Sequence, residues 1–292
     1  MELVSLGDSF SCGEGVGLRV DLPQTWVGLL AAALPDCRWT PLAVAGATVG
    51  DVRHGQLPAA LARRPDLATL LVGLNDVVRA GFDPAAVTVE LHEVVDALLA
   101  SGCPVLLVRL HDPGVMLPLP PLLTAGLRRG LAARVGVLQS AVDVLAGRAG
   151  VHVLDLADVP GLAASAAWAP DRIHPSSAGH RAISVDACAA LRRAGIDVAP
   201  LGPEEAAGAG PSALAQVRWL VGHGLPWTAS HLRSVALPLL AVATGLSRRS
   251  GAPAGPRARA RQGQPPASTA DRGPAATALS PRGRRRPAPA SC

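Results

Sequence analysis

Short apolar runs alternate with longer stretches of helical spacing along the first two thirds of the chain. The runs are Leu3–Leu6, Trp39–Ala43, Leu67–Val72, Val105–Leu110 and Val151–Leu156. Several lack polar alternation, as expected of strands covered on both faces. Helical spacing between and after them predicts helices over about 24–34, 49–62, 84–101, 124–148 and 176–194. Asp83-Pro84 reads as a helix start, because Pro is tolerated in the first turn. Gly102-Cys103-Pro104 reads as the stop of that helix before the next strand. Repeated β-α units imply a parallel sheet with helices on both sides.

The pattern changes after Gly195, so residues 1–195 form the predicted globular domain. Residues 196–211, rich in Pro, Gly, Ala and Glu, read as a linker. Residues 212–247 predict a helical extension of two helices, with Trp219 and Trp227 near their ends. Its longest apolar stretch, Val235–Leu246, is too short to span a bilayer and is interrupted by Pro238. Residues 248–292 consist mostly of Pro, Arg, Gly and Ala. They cannot bury enough apolar surface to offset chain entropy, so a disordered tail is predicted.

Composition sharpens this division. There is no Lys, so every basic side chain is Arg. Residues 248–292 carry ten Arg against one acid, Asp271, whereas residues 1–247 carry 17 Arg against 21 acids. The body is mildly acidic, and the high pI belongs to the tail. Specific nucleic-acid binding by the body is therefore not expected; a peripheral contact with an anionic membrane would fall to the Arg-rich tail. Met1 is followed by an acid and then directly by the first strand, so no signal peptide is expected. Five Cys, at 12, 37, 103, 188 and 292, match no CxxC or zinc spacing and read as reduced thiols of a cytoplasmic protein. The His residues form no metal-ligand set, and "GEGVG" at 13–17 lacks dinucleotide-binding spacing, so neither a metal nor a cofactor is expected.

In a doubly wound sheet, ligands bind beyond the C-terminal strand ends. Four polar, Gly-containing turns fall on that edge: Gly7-Asp8-Ser9, "AVAGATVGD" at 43–51, "VGLNDV" at 72–77 and "DRIHPSSAGH" at 171–180. Ser9 offers a hydroxyl, although its surroundings are not the G-x-S-x-G elbow. His174 can act as a base near neutrality, and Asp171, three residues earlier, can hold its ring. Pro175 restricts the His174 backbone to extended conformations. Asn75 offers a side-chain amide, while Gly46 and Ser9 offer backbone N–H groups, for charge developing on an acyl oxygen.

Together these turns resemble the SGNH hydrolase superfamily, the GDSL esterases and lipases. Its blocks correspond to Gly7-Asp8-Ser9, Gly46, Gly73-Leu74-Asn75-Asp76 and Asp171-Arg172-Ile173-His174-Pro175. The resemblance covers about 1–195. It implies a three-layer α/β/α sandwich, flavodoxin-like, with a five-stranded parallel sheet. It also implies a Ser9 nucleophile, a His174 base paired with Asp171, and an oxyanion hole of Ser9, Gly46 and Asn75. The expected activity is metal-independent hydrolysis of a small-molecule carboxylic ester through an acyl-enzyme. An acyltransferase or a carbohydrate deacetylase using the same site is the alternative. A non-catalytic binding module with a working basic tail is the rival from another class.

Other residues have humbler readings. Asp8 and Asp76 are expected to brace turns, Cys12 to pack, and His180 to cap or pack. His111, after the fourth strand, is a candidate substrate contact, and the Leu- and Pro-rich loop 113–123 a candidate apolar wall.

Overall fold

The structure, a computed structural model, describes residues 1–111, 121–202 and 210–244. A central sheet is built from β1 (Glu2–Gly7), β4 (Arg38–Pro41), β5 (Leu67–Leu71), β6 (Val105–Arg109) and β7 (Val151–Asp155). All four pairings are parallel, in the order β4-β1-β5-β6-β7. A small antiparallel hairpin, β2 (Glu14–Gly15) and β3 (Leu18–Arg19), stands apart from it.

The apolar runs form strands because helices cover both faces. Every residue of β5 is buried, and in β1 Leu3, Val4 and Leu6 are wholly buried. Full burial of such a side chain contributes about 1.5–3 kcal/mol. Ser5, a buried polar side chain in β1, is matched by the Trp39 Nε1–H at 3.0 Å. Outside the sheet the helices are α1 (Ser9–Cys12), α2 (Trp26–Ala33), α3 (Val49–Asp51), α4 (Leu57–Ala62), α5 (Leu74–Val78), α6 (Pro84–Ala100), α7 (Pro121–Ala146) and α8 (Ser177–Arg193). One layer pairs α2 with α8; the other runs from α3 through α6 to α7. A π-turn, Val52–Gln56, joins α3 to α4. The α/β sandwich with a five-stranded parallel sheet is thus the one expected.

Local signals account for the boundaries. The Asp83 carboxylate accepts from the N–H groups of Ala85 and Ala86 at 2.9 and 3.1 Å, and Pro84 opens α6 without wasting a donor. Gly102, at φ +84°, turns the chain out of α6 toward β6. Thr48 and Asp51 form a reciprocal capping box on α3.

Beyond residue 210 the chain forms α9 (Ala213–Trp219), α10 (Leu225–Ser230) and α11 (Leu237–Thr244), joined by π-turns at Leu220–Gly224 and Leu232–Ala236. Gly224 keeps helical dihedrals, φ −63° and ψ −49°, so Ala213–Ser230 runs without interruption; the break falls at His231, φ −106° and ψ 23°, and leaves the two helical stretches expected. Helix α11 packs on α7, where Gly126 and Gly130 let Ala243 and Val242 approach closely. Among the described residues no helix is long and apolar enough to cross a membrane. The predicted disordered tail and most of the loop 113–123 lie outside the described residues, as does part of the predicted linker.

Candidate active site

Strand β1 ends in a turn that only glycine permits. Gly7 has φ +138°, and a methyl group there would lie 2.0 Å from the Leu71 carbonyl oxygen. The buried Gln56 amide clamps the turn from both sides: it accepts from Gly7 N–H at 2.8 Å and donates to Gly7 C=O at 2.9 Å. Asp8 then caps α1 by accepting from Phe10 N–H at 3.1 Å. Ser9 is consequently the first residue of α1, where a backbone N–H has no intrahelical acceptor. Its side chain is partly exposed.

Asp171 and His174 come from the loop between β7 and α8. One Asp171 oxygen, Oδ1, accepts from the N–H groups of Ile173 and His174, each at 2.9 Å, which rolls the loop into a tight turn. The other, Oδ2, lies 2.5 Å from His174 Nδ1. Arg172 takes up the turn at φ +63°, a left-handed conformation costing about 1–3 kcal/mol in a non-glycine residue. Its guanidinium is tied to Ser165 Oγ at 2.8 Å. The opposite ring nitrogen of His174, Nε2, lies 2.9 Å from Ser9 Oγ across 165 residues of sequence. An ionised carboxylate only accepts, so Nδ1 must donate to Asp171. Nε2 is left to accept the Ser9 hydroxyl proton. Phe10 packs beside the imidazole, ring centroids 6.0 Å apart, and Trp168 packs edge-on to Phe10.

Gly46 and Asn75 reach the same edge from the loops after β4 and β5. Gly46, at φ +80°, directs its carbonyl to the Arg79 guanidinium at 2.6 Å. Asn75 stands in α5, and both its amide hydrogens are engaged: Asp8 Oδ2 accepts at 3.3 Å and the Ala47 carbonyl at 3.1 Å. Donation to a ligand oxygen requires exchange of one of these bonds, and the longer bond to Asp8 is the weaker. Asp76 braces the loop across from it by accepting from Val49 N–H at 3.1 Å.

Burial sets the electrostatics. It raises the Asp8 carboxyl from 3.8 to about 7, only partly countered by the bonds from Phe10 and Asn75 and by His174. Burial likewise raises Asp76 to about 6. His180 is lowered to about 4, by burial and then by the nearby His174. It is neutral in the fold, and its Nδ1 accepts from Trp26 N–H at 3.2 Å, capping α2 from α8. The Cys12 thiol is raised by burial, which disfavours the reactive thiolate. His111 is 6% exposed and packs on Trp168 with ring centroids 5.0 Å apart, so it lies within the wall rather than at its surface. A cavity of about 510 Å³ opens beside the Gly46 loop, lined by Leu42, Val44, Ala47, Gln56 and Ala59 among others. It shares Gly46 with the site but reaches none of Ser9, Asn75 or His174.

Sequence reasoning missed three supports. Gln56 lies inside a predicted helix with no mark of its clamp, and nothing in the sequence around Arg79 links it to Gly46. The hairpin β2–β3 has strands of two residues, too short for any periodicity. Its Gly15 backs directly onto the His174 ring.

The sequence model of the GDSL-like lipase/acylhydrolase family matches residues 5–182, more than half of the chain. The chain belongs to that family. Family membership makes it, at the level of class, a hydrolase of ester bonds. No curated protein matches the GDSL hydrolase chain in sequence. Solved structures do match its fold. TesA is 24% identical, with TM-score 0.50, over 66% of this chain and 99% of that one. The psychrotrophic esterase EstA from Pseudoalteromonas sp. is 18% identical, with TM-score 0.50, over 66% and 97%. A lipolytic protein of the G-D-S-L family from Veillonella parvula DSM 2008 is 18% identical, with TM-score 0.51, over 66% and 98%. Among the described residues of the GDSL hydrolase, no group of three His, Cys, Asp or Glu side chains converges.

Proposed function

We propose that this GDSL hydrolase cleaves carboxylic esters through an acyl-enzyme on Ser9, with His174 as general base and acid and Asp171 as its partner. The observation carrying the reading is the unbroken relay from Ser9 Oγ to His174 Nε2 at 2.9 Å and from Nδ1 to Asp171 Oδ2 at 2.5 Å. Ser9 attacks the ester carbonyl as its proton passes to Nε2. The imidazolium so formed is stabilised by Asp171. The tetrahedral oxyanion is received by the N–H groups of Ser9 and Gly46 and by the Asn75 amide, which leaves Asp8 as charge develops. On collapse, the alcohol departs with the proton from Nε2. Water then attacks the acyl carbon as Nε2 takes its proton; collapse breaks the bond to Ser9 Oγ, returns that proton from Nε2 to Oγ, and releases the acid.

A fluorophosphonate probe tests this. It should label the native protein at Ser9, and Ser9→Ala and His174→Ala should each abolish both labelling and p-nitrophenyl acetate hydrolysis. Hydrolysis that persists in Ser9→Ala would reject the assignment.

A further inference from the structure

The segment Ala213–Thr244 has two unlike sides. Its inner side is tied to the body at three places. The Trp219 indole N–H donates to the Val16 carbonyl at 2.7 Å, and the His223 ring lies against Gly17. The Ser234 carbonyl accepts from Ala80 N–H at 3.1 Å, and α11 rests on Gly126 and Gly130 of α7. Two of these attachments adjoin the candidate site. The hairpin carrying Val16 also carries Gly15 against His174, and Ala80 follows Arg79, which holds the Gly46 carbonyl.

The outer side is apolar and open to solvent. Leu214, Val217, Val221, Leu225, Leu232 and Leu237 are all between 49% and 62% exposed. The first three recur at helical spacing, i, i+3 and i+7, so they form one stripe. No Asp or Glu occurs from 206 to 270, whereas Arg218 and Arg233 lie among the apolar residues and ten Arg follow between 248 and 292. The body up to 247, by contrast, carries more acids than Arg.

We propose that α9–α11 dock, outer side down, on an anionic lipid surface, with the Arg-rich chain that follows supplying the electrostatic attraction. An apolar stripe that carries Arg218 and Arg233 and is followed in sequence by ten more Arg matches an interface whose acyl region takes the Leu and Val side chains while its headgroups take the guanidinium groups. Nucleic acid would satisfy the Arg residues and leave the apolar stripe in water. Pairing two copies through this side would bring two acid-free, basic segments together. Among the described residues no helix is both long and apolar enough to cross a bilayer, so the contact is peripheral.

Co-sedimentation of the full chain with vesicles tests the proposal without any turnover. Binding is expected to vesicles containing phosphatidylglycerol, little to pure phosphatidylcholine, and less as salt rises. The paired substitutions Val217→Asp with Val221→Asp, and the neutral pair Val217→Gln with Val221→Gln, should each weaken binding by about tenfold or more. Hydrolysis of soluble p-nitrophenyl acetate and the thermal midpoint should not change. Absence of binding by the native chain overturns the proposal. So does native-like binding of the Gln pair, which would show that charge alone holds the vesicle. The result stands apart from the ester-hydrolysis reading: binding that persists in Ser9→Ala protein, whatever its activity, reports docking only.

Discussion

Replacing Gly15 by Ala probes how tightly the candidate base is held. The backbone at Gly15 is not left-handed, so Ala can adopt it, and the perturbation is one methyl group placed against a ring. That methyl carbon would lie 2.7 Å from His174 Nδ1 and 3.0 Å from Cε1 and Cγ. Comfortable carbon contacts begin at about 3.5 Å, so ring and hairpin must part by roughly 0.5–0.8 Å. The ring has little room to yield, because Asp171 holds it at 2.5 Å on one side and Ser9 meets it at 2.9 Å on the other. The hairpin is itself tied at Val16 by Trp219 and at Gly13 by Val20 N–H at 2.8 Å. A displacement of about 1 Å in a reacting group can cost about a hundredfold in rate, so kcat/KM should fall about 10- to 100-fold. The thermal midpoint should move by no more than a few degrees, because no core contact is lost. The assay is p-nitrophenyl acetate hydrolysis followed across pH, alongside the rate of fluorophosphonate labelling. Gly55→Ala is the control, since nothing lies within 4 Å of a methyl group there. If Gly15→Ala retains native turnover and labelling, the hairpin yields freely and the ring is not fixed from that side.

Two other substitutions address the donors and the buried carboxyl. Asn75→Ala should lower kcat about 100-fold or more with the fold intact, since one oxyanion donor is worth about 2.7–4 kcal/mol; an unchanged kcat would remove Asn75 from the oxyanion hole. Asp8 is raised from 3.8 to about 7 by burial, so the folded state holds a proton that the unfolded chain releases. Its contribution to stability is complete below about pH 3.8 and is lost as pH rises to about 7. A tenfold change in proton affinity is about 1.4 kcal/mol, so the full loss is roughly 4 kcal/mol. Urea midpoints of the native protein should include this fall between about pH 4 and 7, and Asp8→Asn, which keeps an oxygen for Phe10 N–H, should remove it. Identical pH slopes for the two proteins would show that Asp8 is not neutral in the fold.

The architecture was legible because it depends on local pattern. Short, mostly apolar runs such as Leu67–Leu71, bounded by turn signals, read as buried strands, and capping residues such as Asp83 and Gly102 act on their immediate neighbours. The motif residues Ser9, Asn75, Asp171 and His174 were legible only as a set, because each alone has an ordinary reading and it is their occurrence in four polar segments in this order that points to one site. What the one-dimensional pattern could not carry were contacts between remote segments made by ordinary residues. Gln56 clamping Gly7, Gly15 backing His174, and Trp219 reaching Val16 over 203 positions depend on where whole elements lie. The Asn75 amide is a further case: its residue type was evident, but its present bonds to Asp8 and Ala47 follow from how three loops meet. Hydrophobic periodicity and caps are short-range physics written along the chain. Hydrogen-bond partners and close approaches across the fold are long-range, and only the packed sheet and its layers determine them.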